Sequence, residues 1–197
     1  MKTRDLLRGF ALLLVATPVL AADPPSFKMF GGASYVSPLG EEDVTFGSVT
    51  DAVEASDALG WTVGLEARFN QILGLEFDYV NATNDIEFGG DVVGEVDMQP
   101  LSATLNFHII PTGIVDLYLG PTASYFIFGD AEVESVGSLD VDDEFAYGAS
   151  LGLEIGLGRT LAILGGVRWL KVDLTPEGGE EIAVDPLFSR LGVALRF

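Results

Sequence analysis

The chain has 197 residues, no cysteine, a mean hydropathy of +0.37 and a formal net charge of −20. The lack of cysteine excludes disulfides, thiolate metal sites, thiol catalysis and a lipid anchor on Cys, and the acidity argues against nucleic acid, which is bound by clustered Lys and Arg. High hydropathy combined with high charge requires segregation into an apolar band and very polar connections.

The chain opens with a signal-peptide pattern over residues 1–22. Lys2, Arg4 and Arg8 form a positive start, residues 10–16 are a short apolar core, and Ala21 and Ala22 suit cleavage. The apolar run falls short of the ~20 residues of a membrane-spanning helix. Removing this segment leaves one domain, residues 23–197. It keeps seven of the 10 basic and 29 of the 30 acidic residues, a net charge of −22.

Eight segments then alternate with period two, the signature of strands with two different faces. They cover residues 27–36, 59–69, 73–83, 101–109, 115–128, 144–157, 161–172 and 187–197. Most have the length of a tilted membrane strand. Their connectors alternate between short (70–72, 110–114, 158–160) and long (37–58, 84–100, 129–143, 173–186). Such a meander places both termini on the short-turn side. An open sheet would leave two unpaired edges in lipid, so it should close. The predicted fold is all-β, a transmembrane eight-stranded antiparallel up-and-down β-barrel.

Parity assigns the faces. One face is apolar in every strand, for example Leu73, Leu75, Phe77 and Tyr79, or Leu151, Leu153, Ile155 and Leu157. The other carries Lys28, Glu66, Arg68, Glu76, Asp78, His108, Asp116, Glu154, Arg168, Arg190 and Arg196, with Asn106 and many glycines. Apolar outside and charged inside is the membrane arrangement, the inverse of a soluble barrel. Aromatic residues fall at two levels of the outward face. Tyr35, Trp61, Tyr79, Tyr125, Tyr147 and Trp169 lie near the long-loop ends, and Phe27, Phe69, Phe107 and Phe197 near the short turns. Eight residues separate Phe27 from Tyr35, which is roughly 20 Å of height at a tilt of ~40°, near the apolar band of an outer-membrane barrel. Tyr and Trp suit the headgroup level because one end of the ring system is wet.

The last strand ends on the pattern Arg190-x-Gly192-x-x-Leu195-x-Phe197. It resembles the C-terminal assembly signal of bacterial outer-membrane β-barrels. With the architecture above, the mature chain is similar to the small eight-stranded barrels of Gram-negative bacteria, such as the OmpA transmembrane domain and the OmpX-like and OmpW-like proteins. The resemblance implies the outer membrane, with loops outside the cell and termini in the periplasm. It implies outer-membrane lipid, lipopolysaccharide and the barrel-assembly machinery as partners, and a monomer.

The chemistry expected of such a chain is sparse. Five basic and five acidic inward side chains suggest paired charges plugging a narrow lumen, with a narrow ion path as the alternative. Inward glycines such as Gly64, Gly120, Gly152 and Gly166 are expected to make room for long Arg side chains. Arg68 and Glu76 are expected to pair across the first short turn, and His108 to sit opposite Asp116. A Ser–His pair like that of lipid A-modifying barrels is the enzymatic alternative. His108 is the one histidine, however, and Ser102 and Ser124 lie too far along the strands to be its nucleophile. No enzyme activity, cofactor or metal centre is expected. The long loops hold many Asp and Glu and no Lys or Arg. They read as a repulsive, solvated surface, with divalent cations as possible partners. Asp140-x-Asp142-x-Glu144 alternates oxygen ligands without a complete calcium-loop pattern. A structural or surface-interacting barrel is the reading, and a small channel for ions or apolar solutes, as in OmpW-like proteins, the alternative.

Overall fold

The computed structural model describes residues 26–37, 39, 42–46, 49–88, 91–110, 114–128, 131–133, 137–139, 143–174 and 182–197. The signal-peptide reading of residues 1–22 lies outside them, as do Glu41, Asp130, Glu134, Asp140, Asp142, Glu177, Glu180 and Glu181 of the acidic loops. Eight long strands form the wall: β1 Ser26–Ser37, β2 Ala58–Arg68, β3 Leu73–Phe88, β4 Asp91–His108, β5 Val115–Phe128, β6 Glu144–Gly156, β7 Leu161–Leu174 and β8 Leu187–Arg196. Each pairs antiparallel with the next, and β1 pairs with β8, so the sheet is a closed barrel. Closure reaches the last residue: Phe197 N–H donates to the Phe27 carbonyl at 2.8 Å. A terminal strand tied down in this way does not fray.

The strands differ from their predicted limits where they leave the apolar band. β3 and β4 continue well beyond residues 83 and 101 as a ribbon, with Thr83 opposite Asp97 and Asp85 opposite Glu95. The first long connection forms a hairpin of Glu42–Phe46 with Val49–Ala55, whose second strand pairs with the end of β3. These segments were expected as plain loops. Outside the apolar band neither face needs to be uniformly apolar, so the alternation that marks a strand in sequence is lost while the backbone ladder continues.

The two faces of the wall follow parity. Outward positions such as Leu65, Leu119, Leu153 and Leu191 are exposed, while their inward neighbours Glu66, Tyr118 and Glu154 are buried. A wall with its aliphatic side chains outside and its carboxylates inside is stable only where the outside is not water.

Candidate functional site

The candidate site is the barrel interior. Toward the short turns it is a layer of charged side chains drawn from all eight strands. Lys28 lies in register between Arg196 on β8 and Glu66 on β2. Its ammonium contacts Glu66 and stands 3.2 Å from Glu154, which in turn meets Arg196 Nε at 3.2 Å. Glu66 also meets His108 Nε2 at 2.7 Å, while His108 Nδ1 faces Asp116 at 2.9 Å, and Asp116 pairs with Arg68. A second group lies beside the first. Arg190 Nη1 donates to Glu76 at 2.7 Å, and Arg168 grips Asp78 with both Nη atoms while donating to Ser102 at 2.9 Å. All eleven residues expected in the lumen are therefore brought into it, with Glu66, Glu76 and Glu154 at most 1% exposed. Burial on this scale is tolerable only because every carboxylate has a cationic partner.

Tyr118 joins the two groups. The Lys28 ammonium lies 4.8 Å from its ring centroid, and Arg190 Nη2 donates to its hydroxyl at 3.3 Å. It is fully buried and was not among the expected site residues. Its position between outward Leu117 and Leu119 was the available signal. Nearer the long loops, Thr104 bonds Thr122 and Ser102 bonds Ser124, each at 2.8 Å.

Three expectations need correction. Arg68 does not pair with Glu76. In the ladder Arg68 stands opposite Gly74, and Glu76 opposite Glu66. Arg68 therefore turns toward Asp116 on β5, and Glu76 is left to Arg190 on β8. Nor is the interior charged along its whole length. Toward the long loops its inward positions are Val36, Val80, Met98, Phe126, Leu170, Val172 and Phe188, one buried apolar cluster with Ala58, Ala82 and Ala146. Phe126 and Phe188 pack with ring centroids 6.1 Å apart. The inward glycines, finally, mostly do not make room for arginine. A Cβ on Gly120 would strike the backbone of Leu105, one on Gly64 the ring of Phe30, and one on Gly152 the ring of Tyr118. Gly166 differs in having an arginine among its nearest neighbours, with Arg190 Nε at 3.4 Å from such a Cβ. Gly152→Ala, whose Cβ would lie 2.3 Å from the Tyr118 ring, should therefore destabilise by ~1–3 kcal/mol through overpacking, read as a lower urea midpoint.

His108 is placed as expected beside Asp116, although its backbone partner is Tyr118. Both ring nitrogens face carboxylates, and Ser102 and Ser124 are engaged with each other and Arg168. Among the described residues no cluster of three or more His, Asp or Glu could hold a metal.

The aromatic residues stand outside at two levels. Trp61 and Tyr79 pack 5.5 Å apart, and Phe145 lies in register with Tyr125. The Tyr125 hydroxyl donates to Asp143 at 3.1 Å, and Tyr35 donates to Asp57, which holds the Asp57 carboxyl below the usual carboxylate range. At the other level Phe27, Phe69, Phe107 and Phe197 are exposed. In the terminal pattern Leu195 and Phe197 point outward, while Arg190 belongs to the charged layer and Gly192 faces Gly32 across the β1–β8 seam.

Solved structures with this architecture include OprG from Pseudomonas aeruginosa, with a TM-score of 0.76 at 16% identity over 87% of this chain and 95% of that one. AlkL in lipid bilayers matches with a TM-score of 0.63 at 22% identity, over 92% and 95% of the two chains. Neisserial surface protein A follows at 0.55 and 13% identity, over 87% and 95%. At these identities the likeness is one of fold. No curated protein matches the sequence. The model of the outer membrane protein beta-barrel domain matches residues 10–197. With a closed eight-strand wall, apolar outside and charged within, the chain belongs to that family of the Gram-negative outer membrane.

Proposed function

We propose that this protein is a non-enzymatic, non-conducting outer-membrane barrel with a structural or surface-interacting role. The observation that carries the reading is the charged layer: Lys28, Glu66, Glu76, Glu154 and Arg190 cross the lumen and use one another as partners. A lumen of eight strands is only wide enough for its own side chains, and here the apolar cluster fills the other half. Residues 1–22 direct export and are removed. The acidic loops then face outward and the termini lie in the periplasm. The loops keep the surface soluble and meet lipopolysaccharide through bridging divalent cations, and the barrel acts as a monomer. In planar bilayers the purified barrel should give no discrete conductance steps; steps that survive repurification would return the lumen to a channel.

The terminal pattern serves recognition by the assembly machinery. Deleting Phe197 should lower the yield of heat-resistant barrel in the outer membrane several-fold while leaving refolding in detergent almost unchanged. Equal cellular yields would remove that role.

One observation favours a second reading, a carrier for small apolar solutes. The inward cluster of Val36, Met98, Phe126 and Phe188 is the lining such a solute would prefer over water. Protein-dependent uptake of an apolar fluorophore into vesicles, without ion conductance, would separate it from both a plug and a pore.

A further inference from the structure

Outside residues 1–22 the chain has seven basic residues. Lys28, Arg68, Arg168, Arg190 and Arg196 face the lumen, each with a carboxylate for a partner. That leaves Arg159 and Lys171 for the whole exterior, in a chain whose long loops are acidic throughout. The two cations are not scattered. Arg159 is exposed in the turn between β6 and β7, and Lys171 is half-buried on β7, on the outward parity of Val167 and Trp169. Ten residues separate Lys171 from Leu161, which begins β7 just past Arg159. At ~3.3 Å per residue and a tilt of ~40° that is roughly 25 Å of height, the height of the apolar band. One cation therefore stands at each edge of the band.

Lys171 has the setting of a headgroup contact. In the ladder it stands opposite Tyr147, and Trp169 is the outward residue before it. Both rings are exposed on the outer face. Tyr and Trp mark the level at which hydrocarbon gives way to headgroups. A lysine at that level lays its stem along the apolar wall and extends its ammonium to the phosphates. Beyond it the acidic loops repel an anionic headgroup, and they contain no Lys or Arg to offset this. Lys171 is thus the point on the long-loop side at which the exterior can take a phosphate with no metal ion between.

We propose that Lys171, beside Tyr147, binds a phosphate of the lipid A part of lipopolysaccharide directly, without a bridging cation. The assignment of the phosphate to that lipid rests on the outward placement of the long loops given above. The contact is separate from the cation-bridged one of the loops, and it holds whether or not the lumen conducts.

The test uses the whole barrel purified from outer membranes and labelled with nitrogen-15 lysine. Outside residues 1–22 the only lysines are Lys28 and Lys171. Lys28 is buried against Glu66 and Glu154 and serves as the internal control. The barrel is placed in maltoside micelles, which contain no phosphorus, with bisphosphorylated lipid A and EDTA. Phosphorus-31 should then dephase the Lys171 ammonium signal in solid-state NMR and leave that of Lys28 unchanged. In the same micelles Lys171→Gln should bind lipid A about fivefold more weakly than wild type. Lys171→Arg keeps the charge and should bind within about twofold of wild type. Three results would each overturn the contact: no dephasing at Lys171, wild-type affinity in Lys171→Gln, or a loss in Lys171→Arg as large as in Lys171→Gln. Wild-type binding that EDTA abolishes would also overturn it, while leaving the cation-bridged loops standing. Cleavage of the long loops by protease added to intact cells tests their outward placement separately.

Discussion

Replacing Asp78 by leucine should cost the barrel ~3–5 kcal/mol, and replacing Arg168 by leucine in the same chain should restore most of the loss. Both side chains are buried, and Arg168 grips both carboxylate oxygens of Asp78, with Nη1 at 2.8 Å. Removing Asp78 alone strands a guanidinium with Ser102 at 2.9 Å and the more distant Glu76 at 3.7 Å. The double replacement leaves no orphan charge. Ser102 keeps Ser124, and Glu76 keeps Arg190 at 2.7 Å. Place in the fold favours the exchange, because Asp78 is two residues from Val80 and Arg168 two from Leu170, both members of the apolar cluster. Two leucines would extend that cluster by one layer. Urea midpoints of wild type, both single variants and the double variant form the cycle. Simple addition of the single losses would show that the two side chains are not coupled.

The position of that pair illustrates what was legible in the sequence. Parity settles which face a residue takes, because side chains alternate strictly along a strand. All eleven charged residues could thus be assigned inward before any contact was known. Parity also places Tyr118, Val36, Val80, Phe126, Leu170, Val172 and Phe188 inward, with no charge to mark them, whereas Ala58 and Met98 of the same cluster lie in stretches that read as loops. What neighbours do across the lumen is a different matter. Ladder pairing constrains only residues on adjacent strands, and it was the basis for joining Arg68 to Glu76 across their hairpin. The actual register sets Arg68 against Gly74, and the long side chains then cross to β5 and β8. Partners such as Arg190 and Glu76 are 114 residues apart, and closure of the barrel alone brings them together. The ribbon of β3 and β4 beyond the apolar band was hidden for another reason. With water on its surroundings, nothing selects for alternation, and Asp85 opposite Glu95 reads as a polar loop.

The outward face carries the second large effect. Leu151→Arg should destabilise the barrel by ~2–4 kcal/mol in lipid vesicles, whereas Leu157→Arg should cost no more than ~1 kcal/mol. The two leucines share the outer face of the same chain segment, and both are exposed, at 46% and 56%. Leu151 lies on β6 between Leu119 and Val167 of the adjoining strands, about midway between Tyr147 at one aromatic level and the short turn. Leu157 begins that turn, where its N–H donates to the Leu161 carbonyl at 2.8 Å. A guanidinium at the first position must sit in hydrocarbon or bend the bilayer toward itself. At the second it reaches the headgroups by extending its own stem. Water as the outer solvent predicts no such difference, since an exposed Leu→Arg change on a soluble sheet is near neutral at both places. Equal, small losses at Leu151 and Leu157 would therefore contradict a lipid-facing wall, while a steep difference between them measures the depth of the apolar band directly.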